Sequence, residues 1–125
     1  MSESTLKQIA QQFLELTASG AVDDAYERFV AHDFIHHNQY FKGDRESLRV
    51  AMRESATTMP DKKLTVHSIV EEQDRVITYS HVQISVSAME IAVFHMFRFE
   101  NGKIAELWDV GQQIGKESPN QRGLF

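Results

Sequence analysis

The chain has 125 residues, with 13 Lys plus Arg against 18 Asp plus Glu, six histidines, no cysteine and a formal net charge of -5. That length predicts one domain, 1–125, and 42% hydrophobic residues are enough to fill its core. Without cysteine there is no disulfide framework, zinc ribbon, iron–sulfur cluster or thiol catalysis, and an acidic chain with no basic cluster is not built for nucleic acid. No apolar run approaches the roughly 18 residues that span a bilayer. Met1 to Lys7 lacks the pattern of a signal peptide. The expectation is a cytoplasmic protein with no membrane partner.

Leu6, Ile9, Ala10, Phe13, Leu14 and Thr17 recur with a helical period. Ser2 or Ser4 can cap this helix and Gly20 can end it. Asp23 and Asp24 open a short second helix, with Ala25, Tyr26, Phe29 and Val30 as its apolar side. Phe34 to Asn38 reads as a short strand. Gly43-Asp44 is a turn and N-cap before a third helical stripe of Leu48, Ala51, Met52, Ser55, Ala56 and Met59. Pro60 stops it, because the residue before proline avoids the helical region. From Lys63 the period changes to two. Strands are predicted over Lys63–Val70, Val76–Val86, Ile91–Glu100 and Lys103–Gln113. Asn101-Gly102 between two apolar runs is a strong hairpin signal. The order predicts an α+β fold, with helices segregated from an antiparallel sheet. A curved sheet of this kind can wrap a helix and keep a pocket at its open end.

Asp109 stands out among the strand residues. Alternation places it with Ala105 and Leu107, opposite Glu106, Trp108 and Val110. A carboxylate in an apolar wall has its charged form disfavoured, which raises its pKa and makes it a usable acid or base. An aspartate near a strand end can equally bond a backbone amide or an arginine. His95 shares a face with Val93 and Phe97. Its relation to Asp109 depends on the hairpin: a two-residue loop pairs His95 with Trp108, and a three-residue loop pairs it with Leu107. Only the second puts His95 and Asp109 on one face. It also sets Phe94 against Trp108. Tyr79 and His81 share a face that serves either a pocket or solvent. His36 and His37 point to opposite faces, so at most one enters a given pocket. Asn38 is a natural turn residue. His32 and His67 read as surface residues. There is no HxH or HExxH spacing for a metal, no GxSxG elbow, and no GxGxxG or P-loop for a nucleotide.

The strand Phe34-Ile35-His36-His37-Asn38 and the run Phe97-Arg98-Phe99-Glu100-Asn101-Gly102-Lys103-Ile104-Ala105-Glu106-Leu107-Trp108-Asp109-Val110 resemble the SnoaL-like polyketide cyclase family of the nuclear transport factor 2-like superfamily. The tail, Gln113 to Ser118 with Asn120, Gly123 and Phe125, is similar to its predicted aldol-condensation branch. The resemblance implies a cone-shaped α+β barrel, a pocket at its wide end and a homodimer formed through the sheet. It also implies that Asp109 is the acid/base of ring closure, that His37 and Asn38 match the family's His-Asn, and that His81 matches a histidine of the second long strand. Two positions depart from the pattern. Leu107 stands where relatives carry histidine, and His95 where they often carry aspartate, so His95 supplies the imidazole here.

These readings lead to a cofactor-free enzyme that forms an enolate from a small apolar carbonyl compound. Asp109 takes the α-proton, His37 or His81 stabilises the oxyanion, and His95 tunes or relays the proton. Tyr79, His81, Asn38, Trp108, Phe94 and Phe97, with Met89 and Met96, are the expected substrate contacts, and no metal is expected. A binding protein with the same pocket and no chemistry is the alternative. A broad exposed apolar sheet face would instead indicate protein interaction.

Overall fold

A computed structural model describes residues 5–125. Its elements are α1 (Leu6–Ser19), α2 (Val22–Phe29), β1 (Val30–His37), α3 (Arg45–Thr58), β2 (Lys63–Glu72), β3 (Arg75–Ile84), β4 (Met89–Glu100) and β5 (Lys103–Gln113). Ser2 and Ser4 lie outside the described residues. Thr5 caps α1: its hydroxyl accepts from the Gln8 N–H, and the Gln8 side chain accepts from the Thr5 N–H, a reciprocal capping box. Gly20 ends the helix at φ +98, a conformation that costs glycine little. Asp44 caps α3 by accepting from the Ser47 N–H at 3.0 Å. Val30 was expected on the second helix. It is instead the first residue of β1, extended at φ -106 and ψ 129, as suits a β-branched side chain.

The five strands form one open sheet in the order β1-β5-β4-β3-β2. The α+β architecture is as expected, but the sheet is mixed, because β1 runs parallel to β5. The other three pairings are antiparallel. Phe13 of α1 and Tyr26 of α2 are fully buried, with ring centroids 5.8 Å apart. Phe13 also meets the ring of Phe97 edge-on at 6.1 Å. Val76, Ile104 and Leu107 complete this side of the core. The inner face of the sheet therefore carries the helices.

The β4–β5 hairpin follows neither of the two expected registers. Its loop is the two-residue kind, with Asn101 at φ 51 and Gly102 at φ 76, and Glu100 pairs with Lys103. The extra residue lies inside β5, where the register shifts between Phe99↔Ile104 and Arg98↔Glu106. Ala105 is the bulge, and Ile104 and Ala105 are consecutively buried. His95 therefore pairs directly with Asp109, Phe94 with Val110 and Met96 with Trp108. The expected pairing of Phe94 with Trp108 does not form.

The bulge generates a prediction. Deleting Ala105 removes the extra residue and leaves Ile104 and Glu106 consecutive opposite Phe99 and Arg98, so Asp109 stays inward opposite His95 and Trp108 stays outward. The deletion variant is expected to keep a cooperative thermal transition by circular dichroism. Ala105→Gly, which keeps the bulge, should cost about 1 kcal/mol. A deletion variant that loses its transition while Ala105→Gly keeps it would contradict the register.

Candidate active site

β1 and β5 together build the site. The parallel register sets His36 beside Leu107 and His37 beside Trp108. Leu107 is 1% exposed and faces the helices. His36 therefore also points inward, and the next inward positions are Asn38 on β1's continuation and Asp109 on β5. Their side chains meet. His36 Nε2 lies 2.7 Å from Asp109 Oδ2, and Asn38 Nδ2 donates to Asp109 Oδ1. An ionised carboxylate only accepts, so the facing His36 nitrogen carries the proton. His36 Nδ1 is buried and has no partner among the described residues. The His36 side chain is 1% exposed and that of Asp109 18%.

The expected rise in the Asp109 pKa does not occur. Burial pushes the carboxyl up, but the hydrogen bonds from His36 and Asn38 and the nearby imidazoles of His95 and His36 outweigh it. The net result is a pKa below the ordinary carboxylate value. His95, across the ladder, shows the opposite balance. Burial pushes its imidazole down to about 4, against the pull of Asp109. Its Nδ1 is buried without a partner among the described residues.

An open cleft of about 650 Å³ lies over this group. The loop of residues 38–43 forms much of its wall, with Val110 and Gly111 at the other side. Phe41 reaches over the site, with its ring 5.6 Å from that of His36.

Several expected site residues lie elsewhere. His37 is not beside Asp109. It faces the outer side of the sheet, where Nε2 lies 2.6 Å from Glu106 Oε2 and the ring stacks on Trp108 at 4.9 Å. Phe94 is also outside and 53% exposed. Tyr79 and His81 are on the same outer face, where the C-terminal tail crosses them. The Tyr79 hydroxyl donates to the Leu124 carbonyl at 2.6 Å, and the Phe125 ring packs 4.8 Å from His81 and 4.4 Å from His67. His81 Nε2 is engaged with Glu90 at 2.7 Å. Phe97 is inside but is a core residue, fully buried against Phe13. The site thus brings together Asp109, His95 and Asn38 of the expected set. His36 and Phe41 were missed. The only signal for His36 was its parity with Phe34, which is also buried.

The helices packed on one face of a five-stranded mixed sheet define the class: an α+β protein of the NTF2-like architecture. Within that class, a family model for SnoaL-like polyketide cyclases matches residues 7–118, and the chain belongs to this family. No characterised protein sequence matched the chain. Among solved structures it is similar to an NTF2-like protein of unknown function from Cytophaga hutchinsonii ATCC 33406, with a TM-score of 0.73 and 18% identity, covering 89% of this chain and 93% of that one. It is similar to IdmH of Streptomyces antibioticus, described as a candidate polyketide cyclase, with a TM-score of 0.71 and 21% identity, covering 82% and 88%. A candidate ketosteroid isomerase from Kribbella flavida DSM 17836 gives a TM-score of 0.72 at 12% identity, covering 92% and 83%. At these identities the likeness establishes the fold.

The buried imidazole gives a pH prediction. The folded pKa of His95 lies below its unfolded value of about 6.5. Between that value and about 4 the unfolded chain binds the extra proton, so stability rises with pH across this window and is lost as pH falls through it. The loss should be on the order of 2–3 kcal/mol. Urea unfolding of the parent should show this slope, and His95→Gln should flatten it. An equal slope in both would assign the acid sensitivity to other groups.

Proposed function

We propose that the protein is a cofactor-independent cyclase or isomerase that moves a proton next to the carbonyl of a small, mostly apolar compound. Membership of the SnoaL-like family supports the cyclase/isomerase class. The observation that carries the proposal is the Asp109 carboxylate, held by His36 and Asn38 at the floor of an open cleft with His95 directly across the ladder. In this reading Asp109 and His36 form the proton-transfer pair, whereas the sequence led to His37 or His81 at the oxyanion and His95 as the proton relay. Asp109 orients the imidazole and receives or returns the proton. His95 does not line the cleft; kept uncharged near neutrality by burial, it borders Asp109 without adding a competing charge. Phe41 and Tyr40 supply apolar contact at the mouth. Enolate chemistry of this kind needs only these groups, which is why we assign no cofactor.

One observation favours the alternative, a ligand-binding protein without chemistry. A carboxyl held below its ordinary range is a weak base. The test is deuterium uptake from D₂O at the α-carbon of β-tetralone, an aromatic ketone, followed by NMR. The parent should accelerate exchange, and Asp109→Asn should lower the rate by about 10²–10⁴-fold with little change in melting temperature. Parent protein that binds the ketone without accelerating exchange would support the binding reading.

We also propose that the chain forms a homodimer through the outer face of the sheet. One cross-strand row there, Val70–Ile77–Met96–Trp108–His37, spans all five strands. The next includes Tyr79, Phe94 and Val110. Val70, Ile77, Phe94 and Val110 are exposed, Val110 at 75%. Five strands about 4.8 Å apart give a face roughly 24 Å wide, enough for the roughly 800 Å² per partner of a stable interface. Nearby charges are paired within the chain, His81 with Glu90 and Arg98 with Glu106. Light scattering coupled to gel filtration should give twice the chain mass. Val110→Asp should raise the dissociation constant by at least about 100-fold. A monomeric parent at high concentration would end this proposal.

A further inference from the structure

We propose that Asn38 is a positioning residue that ties the loop of residues 38–43 to the Asp109 carboxylate, so that the shape of the loop and the state of the carboxylate control each other. This rests on the reading of Asp109 as the proton-transfer group, and it adds the element that regulates it.

The Asn38 amide is engaged at both ends. Its Oδ1 accepts from the Tyr40 N–H at 3.0 Å. Its Nδ2 donates to Asp109 Oδ1. The first bond fixes the second: with the carbonyl end committed to the loop backbone, only the NH₂ end is left for an acceptor-only carboxylate. A flipped amide would set two oxygens against each other and leave the Tyr40 N–H facing a donor. The same residue starts the loop turn, since its main-chain carbonyl accepts from the Phe41 N–H at 3.1 Å. The far end is closed by the His36 N–H donating to the Gly43 carbonyl at 2.8 Å. Gly43 sits at φ +104, and a Cβ there would stand 3.2 Å from the His36 carbonyl oxygen. Backbone bonds therefore define the loop at both ends, and the Asn38 side chain hydrogen-bonds it to the Asp109 carboxylate.

The loop tip carries the surface a ligand meets first. Tyr40 is 80% exposed, Phe41 is 39% exposed, and both line the cleft. The groups facing Asp109 are His36 from β1, His95 from β4 and Asn38 from the loop. Lys42, the loop's one charge, also lines the cleft. Of these, only Asn38 depends on how the loop is folded. When the Tyr40 N–H moves, the Asn38 amide loses the bond that orients it, and Asp109 loses a donor. Burial then prevails, and the carboxyl becomes a stronger base. The resting protein keeps its base tied down, and a ligand that reshapes the loop releases it. The coupling is reciprocal: the Asp109 charge also holds the loop in place.

Two readouts independent of turnover test this. The first is the titration of Asp109, followed by its carboxyl ¹³C shift in the parent, Asn38→Ala and Asn38→Ser. Serine can keep the local acceptor for the Tyr40 N–H but is too short to reach the carboxylate, so it separates loss of the donor from loss of the turn. Both variants should titrate at higher pH than the parent. The second is hydrogen exchange of the Tyr40 amide in Asp109→Asn, which should be roughly tenfold faster or more, the scale of one lost charge-assisted hydrogen bond, with core amides of α1 unchanged. An unshifted Asp109 in both Asn38 variants overturns the proposal, and so does an unchanged Tyr40 amide. If the ketone exchange fails while both readouts shift, the acid/base reading falls and the coupling stands. If exchange proceeds and neither readout shifts, the coupling alone falls.

Discussion

Asp109 reaches the inner face of the sheet because the bulge at Ala105 absorbs one residue of β5 and reverses the parity of the strand beyond it. Before Ala105 the inward positions of β5 are even-numbered, as at Ile104 opposite Phe99, and after it they are odd, as at Leu107 opposite Phe97. Without the bulge, Trp108 would turn toward the helices and Asp109 toward solvent. β1 inherits this parity through its pairing with β5. His36 and Asn38 flank Asp109 because they continue the register that sets His36 beside Leu107. The bulged register thus decides which of two adjacent histidines belongs to the candidate site, and it also sends Trp108 and Val110 to the opposite face.

The inner face is polar where the bulge places it. Ile69, Thr78, His95 and Asp109 form one cross-strand row. Thr78 and Ser80 are fully buried, and neither hydroxyl has a hydrogen-bond partner among the described residues. Each such group costs about 1–3 kcal/mol. Apolar side chains would fill the same positions with greater stability. Unsatisfied polar groups beside the Asp109 cluster are what is expected where stability is given up at a functional site, in keeping with the function proposed above. On the helix side of the core Phe13, Tyr26 and Phe97 pack ring on ring.

Local chemistry was legible in the sequence at several boundaries, though the Thr5 cap of α1 was not among them. The stop at Gly20, the Asp44 cap and the Asn101-Gly102 hairpin all read from neighbouring residues, and Asp109 stood out by residue type. The parity of β1 did not. Phe34 and Ile35 are both apolar, and His36 and His37 are the same residue, so alternation has two equal solutions. The choice between them is made by a parallel partner some 70 residues away. Tyr79, His81 and Phe94 were misplaced for a related reason. A strand with aromatic residues on one face and Thr78, Ser80 and Val76 on the other suggests the aromatic side as the inside. Here the small side faces the close-packed helices, and the aromatic side carries the C-terminal tail.

Leu107 and His95 are the two departures from the pattern that the sequence resemblance implies. That resemblance leads to the expectation of a histidine at the position of Leu107, two residues from the aspartate on the same strand. In this chain Leu107 is 1% exposed and pairs with Phe97, so it has become part of the core. The imidazole sits instead on β4, opposite Asp109 in the ladder. That position differs in kind. A histidine two residues along β5 would sit about 7 Å away on the same strand. A cross-strand partner has its Cβ only about 5 Å away and moves with the ladder rather than with the loop. The groups around the carboxylate are therefore of two sorts: His95 and His36, fixed by strand pairing, and Asn38, fixed by the loop. In the proposed coupling the strands supply a constant field, and the loop supplies the part of it that a ligand can change.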